Sequence, residues 1–310
     1  MHAWARSQNQ LSLGHTPRYR RARTGEIALY LFPSLLLLSV FTYWPAMRAL
    51  VTSMFEWNIS RPHPRFAGIH NYVVLLGDPV FHLVMRNTAL LAVAAIPVSM
   101  VLALMFAILL NERLGFLRPV YRAAVFYPTM VPMAAAAMLW VWLFNPGIGL
   151  VNYYLARFGI PRVEWLYDMR WALPAVMVTW IWKNVGYFAI LYLAGLQAIP
   201  SDLIEAASVE GASFWKRLRH VTLPLLGPTT LFVFVVALIS SFQIFDAVHI
   251  MTQGGPGDRT NVAVYYLYQQ GFRFWDVGVA SAVRVLFVVL LLLLITATVP
   301  RMERRIFYEV

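Results

Sequence analysis

Apolar and polar positions in this chain fall into long blocks. Stretches of mainly apolar residues run over about 27–48, 87–111, 123–145, 172–196, 222–249 and 278–299. Each reaches the roughly 20 residues that a helix needs to cross a hydrocarbon core. The pattern predicts an all-α integral membrane protein with six transmembrane helices over 27–299, between short tails at 1–26 and 300–310. Proline punctuates the spans: Pro33 and Pro45 in the first, Pro97 as a kink in the second, Pro128 and Pro132 in the third. Asn145-Pro146-Gly147 and Gly254-Gly255-Pro256-Gly257 read as turns that break the chain.

One interruption has a pattern of its own. Residues 200–224, PSDLIEAASVEGASFWKRLRHVTLP, read as a short helix, a glycine turn, a second short helix and the start of a span. Ser201 or Asp202 is placed to cap the first helix, and Asp202 with Glu205 has capping-box spacing. Gly211 supplies the left-handed residue that ends it. Ser213 is placed to cap the second helix, and Pro224 falls in the first turn of the next one, where a missing N–H costs little.

Composition supports the membrane assignment: 60% of the 310 residues are hydrophobic and 13% charged, against about a quarter charged in a soluble domain. The chain has no cysteine, which excludes disulfides and thiolate metal sites. A net charge of +11 is compatible with nucleic-acid binding by amount but not by placement. Fourteen of the 25 Lys and Arg residues lie in 1–26, 112–122, 197–221 and 300–310, and nine lie in the longer alternate loops. By the positive-inside bias both termini and the 197–221 loop are cytoplasmic, and no nucleic-acid partner is expected. The basic N-terminus precedes an apolar run too long for a signal-peptide core, so the first span is read as uncleaved.

Three ionisable residues lie inside spans, where a central charge costs about 2.5–3.5 kcal/mol on insertion scales. At 1.5 Å per residue, Asp246 is about 5 Å from the outer end of span five and Arg284 about 9 Å into span six, so these two are placed to pair. Lys183, about 16 Å down span four, has no evident acidic partner. Thr179, Lys183, Gly186 and Tyr187 share one face of span four; Ser240, Gln243 and Asp246 share one face of span five. These stripes suggest a polar path, with Lys183, Asn184, Tyr187, Gln243, Asp246 and Arg284 as its candidate lining. A structural ion pair is the competing explanation. The seven histidines show no metal-like spacing, no catalytic cluster lies at a membrane face, and no phosphate-binding Gly-x-x-x-x-Gly-Lys-Ser/Thr occurs. A membrane-embedded enzyme is therefore disfavoured, as is an ion- or proton-coupled carrier, since no internal repeat over ten or more spans is present.

The 200–224 stretch resembles the EAA loop of permease subunits in bacterial ATP-binding-cassette importers. Glu205-Ala206-Ala207 is followed three residues later by Gly211, then after nine residues by Val221-Thr222-Leu223-Pro224. Val221 replaces the usual isoleucine of that pattern, and Glu210 stands where aspartate is common. Tyr43-Trp44-Pro45, Phe144-Asn145-Pro146-Gly147, Leu196-Gln197-Ala198-Ile199-Pro200, Phe245-Asp246 and Met251-Thr252-Gln253-Gly254-Gly255-Pro256 are similar to the carbohydrate-uptake branch, the maltose and glycerol-phosphate type, and to the first permease of its pair. The resemblance implies a permease core whose coupling loop, carried by Glu205, Ala206, Ala207, Gly211, Leu223 and Pro224, docks on a separate ATPase. It also implies a second permease, two ATPase subunits that bind ATP and Mg, an extracytoplasmic solute-binding protein and a bacterial inner-membrane location. Spans four and five line the path in that family. The implied solute is a sugar, oligosaccharide, polyol or glycerol-phosphate ester; phosphate would suit Lys183 and Arg284.

Overall fold

The structure is a computed structural model that describes residues 18–60, 63–111 and 117–304. The basic tail over 1–17, part of the basic loop at 112–116 and the end at 305–310 lie outside the described residues. Two compact units divide after Val51.

The first unit is one long apolar helix in three parts: α1 (Arg18–Leu38), a π-helical turn (Ser39–Tyr43) and α2 (Trp44–Thr52). Pro45 accounts for the π turn. A proline ring clashes with the carbonyl four residues back, here that of Phe41, and a widened turn relieves the clash without ending the helix. The segment Glu26–Thr52 is long and apolar enough to cross a membrane.

The second unit opens with a small hairpin, β1 (Phe55–Glu56) and β2 (Arg65–Phe66), paired antiparallel with Phe55 opposite Phe66. This strand pair was not expected from an all-helical reading. The elements that follow are α3 (His70–Gly77), α4 (Pro79–Asn111), α5 (Arg118–Met130), α6 (Met133–Leu143), α7 (Leu150–Arg157) and α8 (Ala172–Ala198). Beyond them come α9 (Ser201–Val209), α10 (Phe214–Arg217), a π turn (Leu218–Thr222), α11 (Leu223–Leu225), α12 (Gly227–Phe242) and α13 (Asp246–Met251). The last are α14 (Ala263–Tyr268), a π turn (Gln269–Arg273) and α15 (Val277–Glu303).

Span boundaries differ from the hydropathy blocks in three places. Span two begins at Pro79 rather than 87, and its helix runs unbroken through Pro97. Span three is two helices, α5 and α6, bent by 98° at Val131-Pro132. Proline forces the residue before it into an extended conformation, and Val131 has ψ 130°. Span five is also interrupted: α12 ends at Phe242 and α13 starts at Asp246. Among the described residues, five helical stretches are long and apolar enough to cross a membrane, with Gly227–Met251 counted as one across its short break, and six if the bent pair also counts as one.

The core lies where α4 packs against α8. Ala95, Ser99, Ala103 and Ala107, spaced every four residues, are fully buried along one face of α4. Small side chains allow the close backbone approach that drives helix association in lipid, where burial of apolar surface alone gives no advantage. Phe188, Ala189 and Tyr192 of α8 fill the facing layer. Ser99 donates to the Ile96 carbonyl at 2.8 Å, so its hydroxyl costs nothing in this setting.

Side chains tie the loop at 252–262 to the end of α4 that precedes Leu91. Asn87 near the top of α4 donates to the Asp258 and Asn261 carbonyls at 2.8 and 3.0 Å, and Thr88 accepts from the Ala263 amide. The turn they hold has positive φ at Gln253, Gly254, Gly257 and Asp258, in keeping with its chain-breaking composition. Asp276 caps α15 through the Val279 amide at 2.9 Å.

Tyr266 of α14 donates to Asp78 at 2.8 Å. Burial, then the bond to Asp78, raises the Tyr266 phenol above its usual value near 10. Its stabilisation is therefore complete below about pH 10 and is lost as pH rises through the higher folded-state value. Tyr266→Phe is expected to cost about 1 kcal/mol at neutral pH and to reduce the loss of thermal stability above about pH 10, measured on detergent-purified protein. An unchanged alkaline profile would reject this role.

Candidate functional site

The loop after α8 has the predicted helix–turn–helix form with different capping. Pro200, not Ser201 or Asp202, is the N-cap of α9, and no side chain caps it. With Pro200 as the cap, Asp202 is the second residue of the first turn. There its carboxylate no longer reaches the amides as a cap but still complements the helix dipole. Ser213 is the N-cap of α10, again without a side-chain bond. The far end of α9 follows the sequence closely. Gly211 has φ +81°, its amide donates to the Ser208 carbonyl, and the Ala212 amide donates to the Ala207 carbonyl, both at 3.0 Å. This paired closure is the Schellman motif, which needs a left-handed residue at the position of Gly211.

A polar clamp sets the two short helices against each other. Ser208 donates to the Ile204 carbonyl at 2.7 Å and accepts from the Arg217 guanidinium. Ile204 and Ala207 turn inward, while Leu203, Glu205, Ala206 and Val209 are exposed, Val209 by 90%. The outer face of α9 thus combines small and branched apolar side chains with the carboxylates of Asp202, Glu205 and Glu210. Leu223 is exposed and Pro224 half-buried at the start of α11, with Pro224 in the first turn as expected.

The span-four stripe does not line an open path over its whole length. Thr179 is buried and donates to the Ala175 carbonyl at 3.0 Å. A Cβ on Gly186 would collide with the Val125 carbonyl of α5. The Lys183 amine donates to the Thr129 carbonyl, and the Thr129 hydroxyl sits 3.4 Å from the Lys183 carbonyl. Thr129 lies in the last turn of α5, where carbonyls lack an intrahelical donor and a cation is favoured by the dipole. The missing partner of Lys183 is therefore a helix end made by the Val131-Pro132 bend. Pro132 was the available signal, because a proline that stops a helix leaves carbonyls upstream of it without donors.

The other candidates divide by exposure. Asn184 is half-buried and donates to the Trp180 carbonyl at 2.9 Å. Tyr187, Gln243, Asp246 and Arg284 are exposed. Gln243 is the C-cap of α12 and Asp246 opens α13, so the break in span five replaces the continuous stripe expected there. Asp246 and Arg284 do not form the anticipated ion pair; among the described residues the ion pair found is His70–Glu56 at 3.5 Å. No metal-ligating group of three or more residues occurs among the described residues. The large crevice of about 730 Å³ between α4, α12 and α15 is walled almost wholly by apolar side chains. Its lining offers few hydrogen bonds to a polyhydroxylated solute.

The family model described as "binding-protein-dependent transport system inner membrane component" matches residues 95–308. The chain is similar to the sulfoquinovosyl glycerol transport system permease protein SmoG of Agrobacterium fabrum, with 34% identity over 83% of each chain. It is equally similar, at 34% identity over 90% of this chain and 95% of the relative, to the sn-glycerol-3-phosphate transport system permease protein UgpA of the same organism. Among solved structures, a chain of a bacterial ABC transporter involved in the import of the acidic polysaccharide alginate superposes with TM-score 0.80 and 25% identity, covering 94% of this chain and 100% of that one. With the family model spanning more than half of the sequence and the helices arranged as in a solved importer, the chain belongs to the binding-protein-dependent transport system inner membrane components and is a membrane-spanning ABC importer permease subunit, not an enzyme.

Proposed function

We propose that this permease subunit takes up a sugar-type or glycerol-phosphate-type solute, and that its 200–224 loop transmits ATP-driven movement from a separate ATPase. The exposed face of α9 supports the coupling role. Leu203, Ala206 and Val209 present apolar surface beside Glu205, on a helix held to its neighbour by the Gly211 closure and the Ser208–Arg217 clamp. A rigid lever of this kind suits docking into a cleft. The names of the relatives support the solute class, since they concern sulfoquinovosyl glycerol, a sugar glycoside, and sn-glycerol-3-phosphate.

In this reading the chain pairs with a second permease. Two ATPase subunits supply ATP and Mg, and an extracytoplasmic binding protein delivers the solute in a bacterial inner membrane. Tyr187, Gln243, Asp246 and Arg284, exposed on the isolated chain, line the path or the permease–permease seam, with the half-buried Asn184 beside them on span four. Exposed ionisable groups at this depth are not tolerated by lipid and imply water or a partner. An ion-coupled relay has less support, because the Lys183 amine is occupied by a carbonyl and Asp246 makes no pair with Arg284. Vesicles carrying the chain with its companion permease, ATPase and binding protein are expected to accumulate solute only with ATP inside the ATPase compartment. Uptake driven by a proton gradient without the ATPase would overturn the reading.

Both termini and residues 197–221 are assigned to the cytoplasm on charge. Ser213 and Arg273 are exposed, and the chain has no cysteine of its own. Of the single variants Ser213→Cys and Arg273→Cys, only the second is expected to label with a membrane-impermeant thiol reagent in spheroplasts. Labelling of Ser213→Cys instead would invert the topology.

A further inference from the structure

We propose that residues 214–220 form a binding site for an anionic phospholipid, with the lipid phosphate at Lys216 and Arg219 and an acyl chain against α4. The proposal rests on the preceding reading only for the leaflet concerned, the cytoplasmic one. A groove of about 490 Å³ lies between the last turns of α4 and the start of α10, and its walls are almost free of polar atoms. Val101, Met105 and Leu109 form its α4 side; Phe214, Trp215 and Leu218 form the other. The three α4 residues, four positions apart, are all exposed and make a stripe about 12 Å long. It ends two residues before Asn111, the last residue of the helix, which places the groove where hydrocarbon gives way to headgroups. Trp215 is 74% exposed at that level, the depth that tryptophan favours in a bilayer.

The cations decide between lipid types. Arg217 is engaged by Ser208, and the His220 ring faces the Lys216 carbonyl at 3.0 Å. Lys216 and Arg219 are exposed and form no ion pair among the described residues. They follow Trp215 by one and four positions and alternate in sequence with Trp215 and Leu218, which line the groove. A long aliphatic groove below two uncommitted cations matches a negatively charged headgroup on a flexible chain. A zwitterionic lipid would fill the groove without favouring the cations. An acidic protein surface would satisfy the cations and leave the aliphatic stripe of α4 uncovered.

The test uses the full chain as purified from the membrane and returned to vesicles. A fluorophore on Met105→Cys, a unique thiol, reports quenching by lipids brominated on their acyl chains. Brominated phosphatidylglycerol diluted into phosphatidylcholine is expected to quench at lower mole fraction than brominated phosphatidylcholine diluted into phosphatidylglycerol. A preference of about fivefold for each cation is expected. Lys216→Gln with Arg219→Gln should erase the preference while quenching by both lipids persists. Equal quenching by the two lipids in the unsubstituted loop would overturn the proposal. Absence of quenching by either would also overturn it, by showing that protein covers the groove. Neither readout depends on ATP or transport, so failure of the importer reading leaves this result standing, and the reverse holds.

Discussion

Replacing Gly211 with valine is expected to abolish solute-stimulated ATP hydrolysis by the assembled importer, while Gly211→Asn retains most of it. The distinction follows from backbone conformation, not space. A Cβ at this position meets nothing within 4 Å, so a purely steric view predicts that both variants are harmless. At φ +81° a side chain costs about 1–2 kcal/mol, more for a β-branched residue and less for asparagine, which tolerates the left-handed region. Valine relieves that strain by opening the closure made by the Gly211 and Ala212 amides, which reorients α9 against α10. The spans that insert the chain in the membrane are untouched, so expression and assembly should be preserved. ATP hydrolysis and uptake measured on the same preparation check this. A valine variant that assembles with its ATPase and transports at the normal rate would remove the loop from the coupling role.

Gly186→Leu is expected to dislodge α5 from α8. The Val125 carbonyl occupies the place of a Cβ, and the Thr129 hydroxyl lies 3.1 Å from it. Backbone cannot yield as a side-chain tip can, so the cost is about 3 kcal/mol or more. It should be read as a lower melting temperature in detergent and loss of the companion permease on purification. Lys183→Met provides the milder contrast at the same contact. It removes a charged donor from the Thr129 carbonyl, a loss of about 2 kcal/mol, with apparent solute affinity unchanged in the surviving transporters. Weakened affinity at undiminished thermal stability would instead return Lys183 to the solute path.

Local chemistry and its limits both show in these two sites. The left-handed turn at Gly211, the place of Pro224, and the Asn145 side chain closing its turn onto the Gly147 and Ile148 amides depend on neighbours a few residues away. They were legible for that reason. So were the positions of the apolar blocks, because crossing a bilayer requires a length and composition that no single contact can alter. The N-cap at Pro200 shows how narrow the margin is: a shift of two residues turned Asp202 from a cap into a first-turn charge.

By sequence alone, this protein was legible as a mainly helical permease with six long apolar blocks and a helix–turn–helix loop between the fourth and fifth. Only the tertiary structure showed what the polar residues inside those spans touch. Lys183 looked unpartnered because its acceptor is no carboxylate but the backbone carbonyl of Thr129 on α5, 54 residues away in sequence and freed by the bend at Val131-Pro132. The four-residue spacing of Ala95, Ser99, Ala103 and Ala107 was visible as letters, yet only the facing surface of α8 made it a packing seam. Gln243 and Asp246 shared a helical face until the chain broke between them. Periodicity assigns a residue to a face; what that face meets depends on packing between distant segments, because every polar group held in lipid must find its partner inside the protein.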